Sequence, residues 1–327
     1  MKVCIYGAGA IGGYLGFMLF EAGYEVSLID QGPHLHAIQQ HGLTLRINGE
    51  SRTAQIPCTD KPETLPPQDY VIIAVKTYSV ASIVEAIPDL LHRGTAVVSV
   101  NNGIPWWYFA GMQVSDQRTT LESVDPGAAM WNIVGPERAI GCVVYPACDM
   151  ISPGVIQHVS GNRFALGEPS GEKTERVMQL AEAMRSSGLK APVKSRIRDE
   201  VWMKLWGNLA FNPISVLTGA TLQKICEQPG TRALAREMML EARGVAEKLG
   251  VQFSLDVEQR IEGAEAVGEH KTSMLQDYEA GRPLETGALL TSVQELGALV
   301  GHDTKTIDGV IALLELKTAL PAEVSAA

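Results

Sequence analysis

Three glycines, Gly7, Gly9 and Gly12, follow the chain's first apolar run directly, and that placement excludes most folds. The run Lys2–Tyr6 reads as a short buried strand that Gly7 ends. Residues 11–22 then have helical spacing, with Ile11, Leu15, Met18, Leu19 and Ala22 on one side. A second strand, Glu25–Ile29, stops at Asp30. Strand, glycine turn, helix and strand within about 30 residues make the βαβ unit of a doubly wound parallel sheet. Each glycine has its own task in such a turn. Gly7 permits the tight bend, Gly9 lets backbone approach a pyrophosphate, and Gly12 lets the helix pack close to the strand. Ala10 and Ile11 open the helix, whose unpaired N–H groups and dipole favour a phosphate there.

Asp30 answers the glycine turn from the end of the next strand, which turns a common motif into a dinucleotide site. A carboxylate there accepts hydrogen bonds from both ribose hydroxyls of NADH and repels the 2′-phosphate of NADPH. No arginine follows within residues 31–36 to hold that phosphate, so NADH is favoured and NADPH stays open. Further strands are expected at 69–75, 95–100 and 139–145. Lys76 and Asn102 lie just past two of them, on the edge where open α/β sheets bind ligands. Asn102 is placed to meet both the cofactor and a substrate oxygen, and Lys76 the cofactor's phosphates or ribose.

Smaller features complete the first half. Residues 43–47 and 53–56 flank Asn48-Gly49 and predict a hairpin. Residues 154–159 and 163–167 flank a Ser-Gly-Asn turn and predict another, followed by a helix over 172–187. From Ser195 onward helical periodicity dominates. The expected architecture is therefore a Rossmann-type sheet domain, 1–193, followed by an all-α domain, 194–327, with the tail after Pro321 frayed.

At 327 residues the chain is long enough for two cores, and 46% hydrophobic with 20% charged residues is a globular composition. A net charge of -10 argues against a nucleic-acid surface. No stretch reaches the roughly 20 apolar residues of a membrane span, and no signal peptide is evident. Five scattered cysteines without a C-x-x-C pair read as reduced thiols of a cytoplasmic protein. His34-x-His36 has metal-like spacing only on a strand, yet it follows Pro33, where a helix is expected, so no metal is assigned.

The chemistry sits in the second half. Lys204, Asn208 and Asn212 step by four, so on a helix they share one stripe. Val201, Leu205, Leu209 and Phe211 flank it, and plain solvent exposure explains such a stripe poorly. Trp202 and Trp206 read as packing, and Pro213 as a kink or restart. Ser273 and Glu285 lie either side of a loop-like break around Gly281-Arg282. Taken locally they read equally well as a helix cap and a first-turn acid.

Gly7-x-Gly9-x-x-Gly12, Lys76, Asn102-Gly103, Lys204/Asn208/Asn212-Pro213, Ser273/Asp277 and Gly281-Arg282-x-x-Glu285 together resemble the ketopantoate reductase family, in order and across nearly the whole chain. That resemblance implies a Rossmann domain and a helical domain with the active site in the cleft between them. It implies NAD(P)H-dependent reduction of a 2-oxo acid, 2-dehydropantoate, to its 2-hydroxy acid. It also implies Lys204 as general acid and Glu285 as the carboxylate that contacts substrate and steadies the site. Asn208, Asn212 and Ser273 would hold the substrate, and Asn102 would bridge cofactor and substrate. A homodimer is compatible with the family and not derivable from the residues.

Three features depart from the family pattern: Asp30 itself, Leu222 where some members carry a polar group, and the bulky run Trp106-Trp-Tyr-Phe109. They leave room for a bulkier 2-oxo or 2-hydroxy acid. A protein that senses dinucleotide without turnover is the reading from a different class, and Lys204 with Glu285 argue against it.

Overall fold

Alternating apolar strands and glycine-punctuated turns build the first part of the chain as the spacing predicts. The computed structural model describes residues 1–112 and 120–320, so the expected fraying of the tail lies outside the described residues. The chain divides into two compact units, Met1–Glu200 and Val201–Ala327. The division falls a few residues beyond the boundary expected near Val193, inside a helix rather than ahead of it.

In the first unit the strands are β1 (Lys2–Tyr6), β2 (Glu25–Ile29), β3 (Leu43–Ile47), β4 (Glu50–Ala54), β5 (Cys58–Thr59) and β6 (Gln68–Ile73). They continue as β7 (Leu91–Ser99), β8 (Ala139–Val144), β9 (Ala147–Ser152), β10 (Val155–Ser160) and β11 (Phe164–Gly167). The main sheet has the order β11-β8-β7-β6-β1-β2-β5, and it is parallel except where β11 pairs with β8. Its strands are apolar on both faces: Val3, Cys4, Ile5, Val71, Ile72, Val97 and Val98 are all fully buried. The helices are α1 (Ala10–Glu21), α2 (Gly32–His41), the short α3 (Val80–Ile83) and α4 (Ala129–Ile133), and α5 (Glu175–Ser186), capped by Thr174.

A second sheet, β4-β3-β10-β9, holds the Asn48-Gly49 hairpin and the β9–β10 pair. The hairpin at Asn48-Gly49 forms, with its second strand at Glu50–Ala54 rather than 53–56. Asn48 (φ 53°) and Gly49 (φ 83°) are both left-handed, as the turns that match strand twist require. The expected pairing of residues 154–159 with 163–167 does not form. β10 pairs instead with β9 and β3, whereas β11 joins the main sheet beside β8. The reason is burial. Phe164, Ala165 and Leu166 are wholly enclosed and complete the main core, whereas Val159 on β10 is half exposed.

The helix α6 (Ile197–Thr218) begins in the first unit and continues into the second. The second unit adds α7 (Leu222–Glu227), α8 (Pro229–Lys248), α9 (Val257–Glu265), α10 (Ser273–Glu279), α11 (Ser292–Val300) and α12 (Lys305–Ala319). Its core gathers Trp202, Trp206, Leu209 and Ala210 of α6 with Met238, Met239, Ala242 and Val245 of α8, all fully buried. Trp202 and Trp206 are both fully enclosed, and Trp206 satisfies its indole N–H on the Met239 carbonyl at 2.6 Å. Pro213, read as a kink or restart, lies inside α6. The helix runs through it to Thr218, because tertiary burial outweighs one lost backbone bond. Among the described residues no helix is long and apolar enough to cross a membrane.

Candidate active site

In the first unit β7, β6, β1 and β2 are consecutive neighbours in the main sheet and run parallel. Gly7, Asp30, Lys76 and Asn102 each come one to three residues after one of them. Topology alone therefore brings these four positions to one sheet edge. Hydrogen bonds knit that edge together: Gly7 N–H donates to Ile29 O at 2.8 Å, and the Asn101 amide donates to the Val75 carbonyl. Sequence spacing singles out Asn102 and passes over Asn101, whose role depends on a distant strand.

The glycine turn has the tight bend and the close helix packing expected of Gly7 and Gly12. Gly7 has φ 101°, and a Cβ there would lie 2.7 Å from the Val75 nitrogen. A Cβ on Gly12 would lie 1.9 Å from the Gly7 carbonyl oxygen, so α1 packs closer than any side chain permits. Gly9 faces open space, with nothing within 4 Å of a built Cβ. It is also the N-cap of α1. No side chain caps it, and the first turn of the helix holds no acidic residue. N–H groups of Ala10, Ile11 and Gly12 at such an end, beneath an open approach, fit a pyrophosphate.

Asp30 does more than its place at the strand end implies. One carboxylate oxygen accepts the Ala8 N–H at 2.7 Å and the other accepts the Gln31 N–H at 2.8 Å. A carboxylate offers about four acceptor sites, so ribose hydroxyls still have partners there. His34 and His36 sit on the helix α2, where positions two apart face different directions. Among the described residues no group of three His, Cys, Asp or Glu could hold a metal.

The aromatic run after Asn102 is core: Trp106, Trp107, Tyr108 and Phe109 are all at most 5% exposed. Trp106 donates to Ser99 Oγ at 2.9 Å, and Arg198 lies over the Trp107 and Tyr108 rings while donating to the Tyr108 carbonyl at 2.8 Å. Burial pulls the Arg198 pKa down from its usual range.

In the second unit Lys204, Asn208 and Asn212 do share one stripe of α6. Lys204 and Asn208 are half-buried and Asn212 is 5% exposed, among neighbours that are fully enclosed. Ser215, one turn further, donates to the Asn212 carbonyl at 2.6 Å and meets Thr272 Oγ1 at 2.5 Å. Thr272 in turn caps α10 by accepting the Leu275 N–H. Ser273 is therefore the first residue of α10 and is exposed; the cap is its neighbour. The Ser215–Thr272 bond thus ties the start of that helix to the Asn212 end of the stripe.

Glu285 is 7% exposed and follows a turn at Gly281 (φ 66°) that Arg282 closes by donating to Asp277 at 2.7 Å. A π-helical segment, Gly287–Thr291, begins two residues after it. Such wide turns recur at functional positions, and no local pattern in the sequence announced this one.

A parallel sheet that opens a helix N-terminus over a glycine turn, continued by helices bearing a half-buried Lys–Asn–Asn stripe, defines a dinucleotide-dependent oxidoreductase. Comparison with known proteins narrows the class. The profile of the ketopantoate reductase PanE/ApbA family matches residues 3–171, and that of the ketopantoate reductase PanE/ApbA C terminal matches residues 196–318. A 2-dehydropantoate 2-reductase of Mesorhizobium japonicum is 55% identical over 96% of this chain and 97% of its own. A crystal structure of a candidate ketopantoate reductase from Ralstonia solanacearum MolK2 superposes with TM-score 0.93 at 38% identity, covering 97% and 98% of the two chains. A 2-dehydropantoate 2-reductase from Geobacter metallireducens GS-15 superposes with TM-score 0.84 at 28% identity, covering 97% and 99%. The chain belongs to the ketopantoate reductase family, whose members depend on NAD(P).

Proposed function

We propose that this protein reduces 2-dehydropantoate to pantoate, with NADH preferred over NADPH. The observation that carries the proposal is the polar stripe of Lys204, Asn208 and Asn212 on an otherwise buried helix, within a chain of this family. When bound, the reduced nicotinamide supplies the hydride. Lys204 then acts on the substrate's 2-oxo oxygen, where negative charge grows as the carbonyl carbon is reduced. An ammonium beside that oxygen polarises it in the ground state and gives it a proton as the alkoxide forms. The amides of Asn208 and Asn212 and the Ser273 hydroxyl hold the substrate's carboxylate and hydroxyl. Asn102 bridges cofactor and substrate, and the buried Glu285 steadies the cationic site.

The preference for NADH rests on Asp30. Its charge opposes a 2′-phosphate, and the residues that follow it offer no cation to hold one. Lys76 serves the cofactor's phosphates or ribose. We place the enzyme in the cytoplasm, where five cysteines that form no disulfide suit a reducing medium.

Initial rates of NADH and NADPH oxidation with 2-dehydropantoate, pyruvate and bulkier 2-oxo acids test this reading. Turnover highest with 2-dehydropantoate and NADH is the expected result. Preference for a bulkier 2-oxo acid would overturn the substrate, strong preference for NADPH would overturn the use made of Asp30, and tight binding without oxidation would make the protein a sensor.

A further inference from the structure

The turn from Gly7 to Gly9 contributes no long side chain, so whatever fixes its shape must grip its backbone. Ala8, at its centre, has both polar backbone groups engaged by side chains. Its N–H donates to the Asp30 carboxylate, and its carbonyl lies 2.8 Å from Nε2 of His34. The second ring nitrogen settles the tautomer. The N–H of Gly154 donates to Nδ1 of His34 at 2.9 Å, so Nδ1 is the acceptor and Nε2 carries the proton that Ala8 accepts. His34 is 6% exposed, and Gly154 lies in the turn between β9 and β10. One buried ring thus links the glycine turn to the second sheet.

We propose that His34 is a positioning residue for the dinucleotide. It holds the Ala8 peptide so that the neighbouring backbone N–H groups already point where a pyrophosphate needs them. The inference rests on the reading of Gly7–Gly12 as the cofactor cradle. A peptide flanked by glycines has more backbone freedom to lose than any other, and ordering it at the moment of binding weakens affinity. Two fixed bonds from opposite sides remove that freedom beforehand. Asp30 grips one side from the strand end, and His34 grips the other from α2.

Two conservative variants separate the halves of the ring. His34→Gln can return a donor at the place of Nε2, and His34→Asn an acceptor at the place of Nδ1; His34→Ala returns neither. Isothermal titration should show NADH affinity reduced about tenfold in His34→Ala and His34→Asn, the loss expected of one unmade buried bond. His34→Gln should stay within about threefold of the parent. The KM for NADH should follow the same order while kcat and the KM for the 2-oxo acid hold. Independently of activity, ring nitrogen NMR should find Nδ1 bare and Nε2 protonated, and amide exchange around Ala8 should quicken in His34→Asn while β9 and β10 stay protected. A proton on Nδ1, or unchanged NADH affinity in both weakened variants, overturns the proposal. Equal losses in all three variants would reduce His34 to a packing residue. Failure of the parent protein to bind either dinucleotide would instead overturn the cradle reading beneath it.

Discussion

Gly9 and Gly12 are three residues apart, yet alanine should do opposite things at them. At Gly12 a new methyl would meet the Gly7 carbonyl oxygen at 1.9 Å, Ala74 Cβ at 2.9 Å and Ile5 Cγ2 at 3.0 Å. Backbone blocks one side and the sheet the other, so α1 has to move away from β1. Overpacking of this kind costs about 1–3 kcal/mol, and an obstacle of backbone puts Gly12→Ala at about 3 kcal/mol. For a unit of this size that lowers Tm by about 6–12 °C. Gly9 has φ -60° and ψ -163°, which any residue adopts, and nothing lies within 4 Å of its built Cβ. Alanine gains about 0.5 kcal/mol there from a less flexible unfolded chain and loses about as much as a poorer helix cap. Gly9→Ala should therefore melt within about 2 °C of the parent while its methyl fills the approach to the helix N-terminus. Two charge-assisted bonds lost to a pyrophosphate would weaken NADH about 100-fold or more. Thermal unfolding by circular dichroism and titration of NADH read the two quantities separately. Normal NADH affinity in Gly9→Ala, or equal destabilisation by both substitutions, would refute the assignment of tasks within the turn.

Three other outcomes follow from particular contacts. Asp30→Asn removes the charge that opposes a 2′-phosphate, and it should raise the NADPH-to-NADH ratio of kcat/KM by about tenfold; an unmoved ratio would detach Asp30 from cofactor choice. Trp206→Phe deletes the bond to the Met239 carbonyl and leaves that oxygen buried, so chemical denaturation should show a loss of about 1–3 kcal/mol. Burial pushes the thiols of Cys58 and Cys148 up to about 12 and Cys226 up to about 11, and Cys4 higher still. At pH 8 iodoacetamide should accordingly modify these four at least about 100-fold more slowly in the native protein than in urea. The same shifts have a sign in stability. The unfolded chain ionises its thiols first, so their contribution is complete below pH of about 9 and is lost as pH rises towards about 12.

What could be read in advance was what depends on neighbours in sequence. The glycine turn, the Asn48-Gly49 hairpin and the Lys–Asn–Asn stripe all follow from local spacing, and each formed. The strand order around β10 and β11 did not follow, because adjacency favours a hairpin whereas enclosure of Phe164 and Leu166 favours the main sheet. Pro213 is accommodated within α6 rather than ending it, because it and its immediate neighbours are enclosed by the fold. The grip on Ala8 was invisible in advance, since Asp30, His34 and Gly154 meet only after the sheets are built. Ser215 and Thr272 are likewise 57 residues apart and look like ordinary helix residues until they touch.

Transient kinetics on Lys204→Ala reaches the heart of the matter. Mixed with saturating NADH and 2-dehydropantoate, the variant should oxidise cofactor about 10²–10⁴-fold more slowly than the parent in a single turnover, with NADH affinity intact. A single-turnover rate equal to the parent's would mean that the proton and the polarisation come from elsewhere, and the role given to α6 would fall.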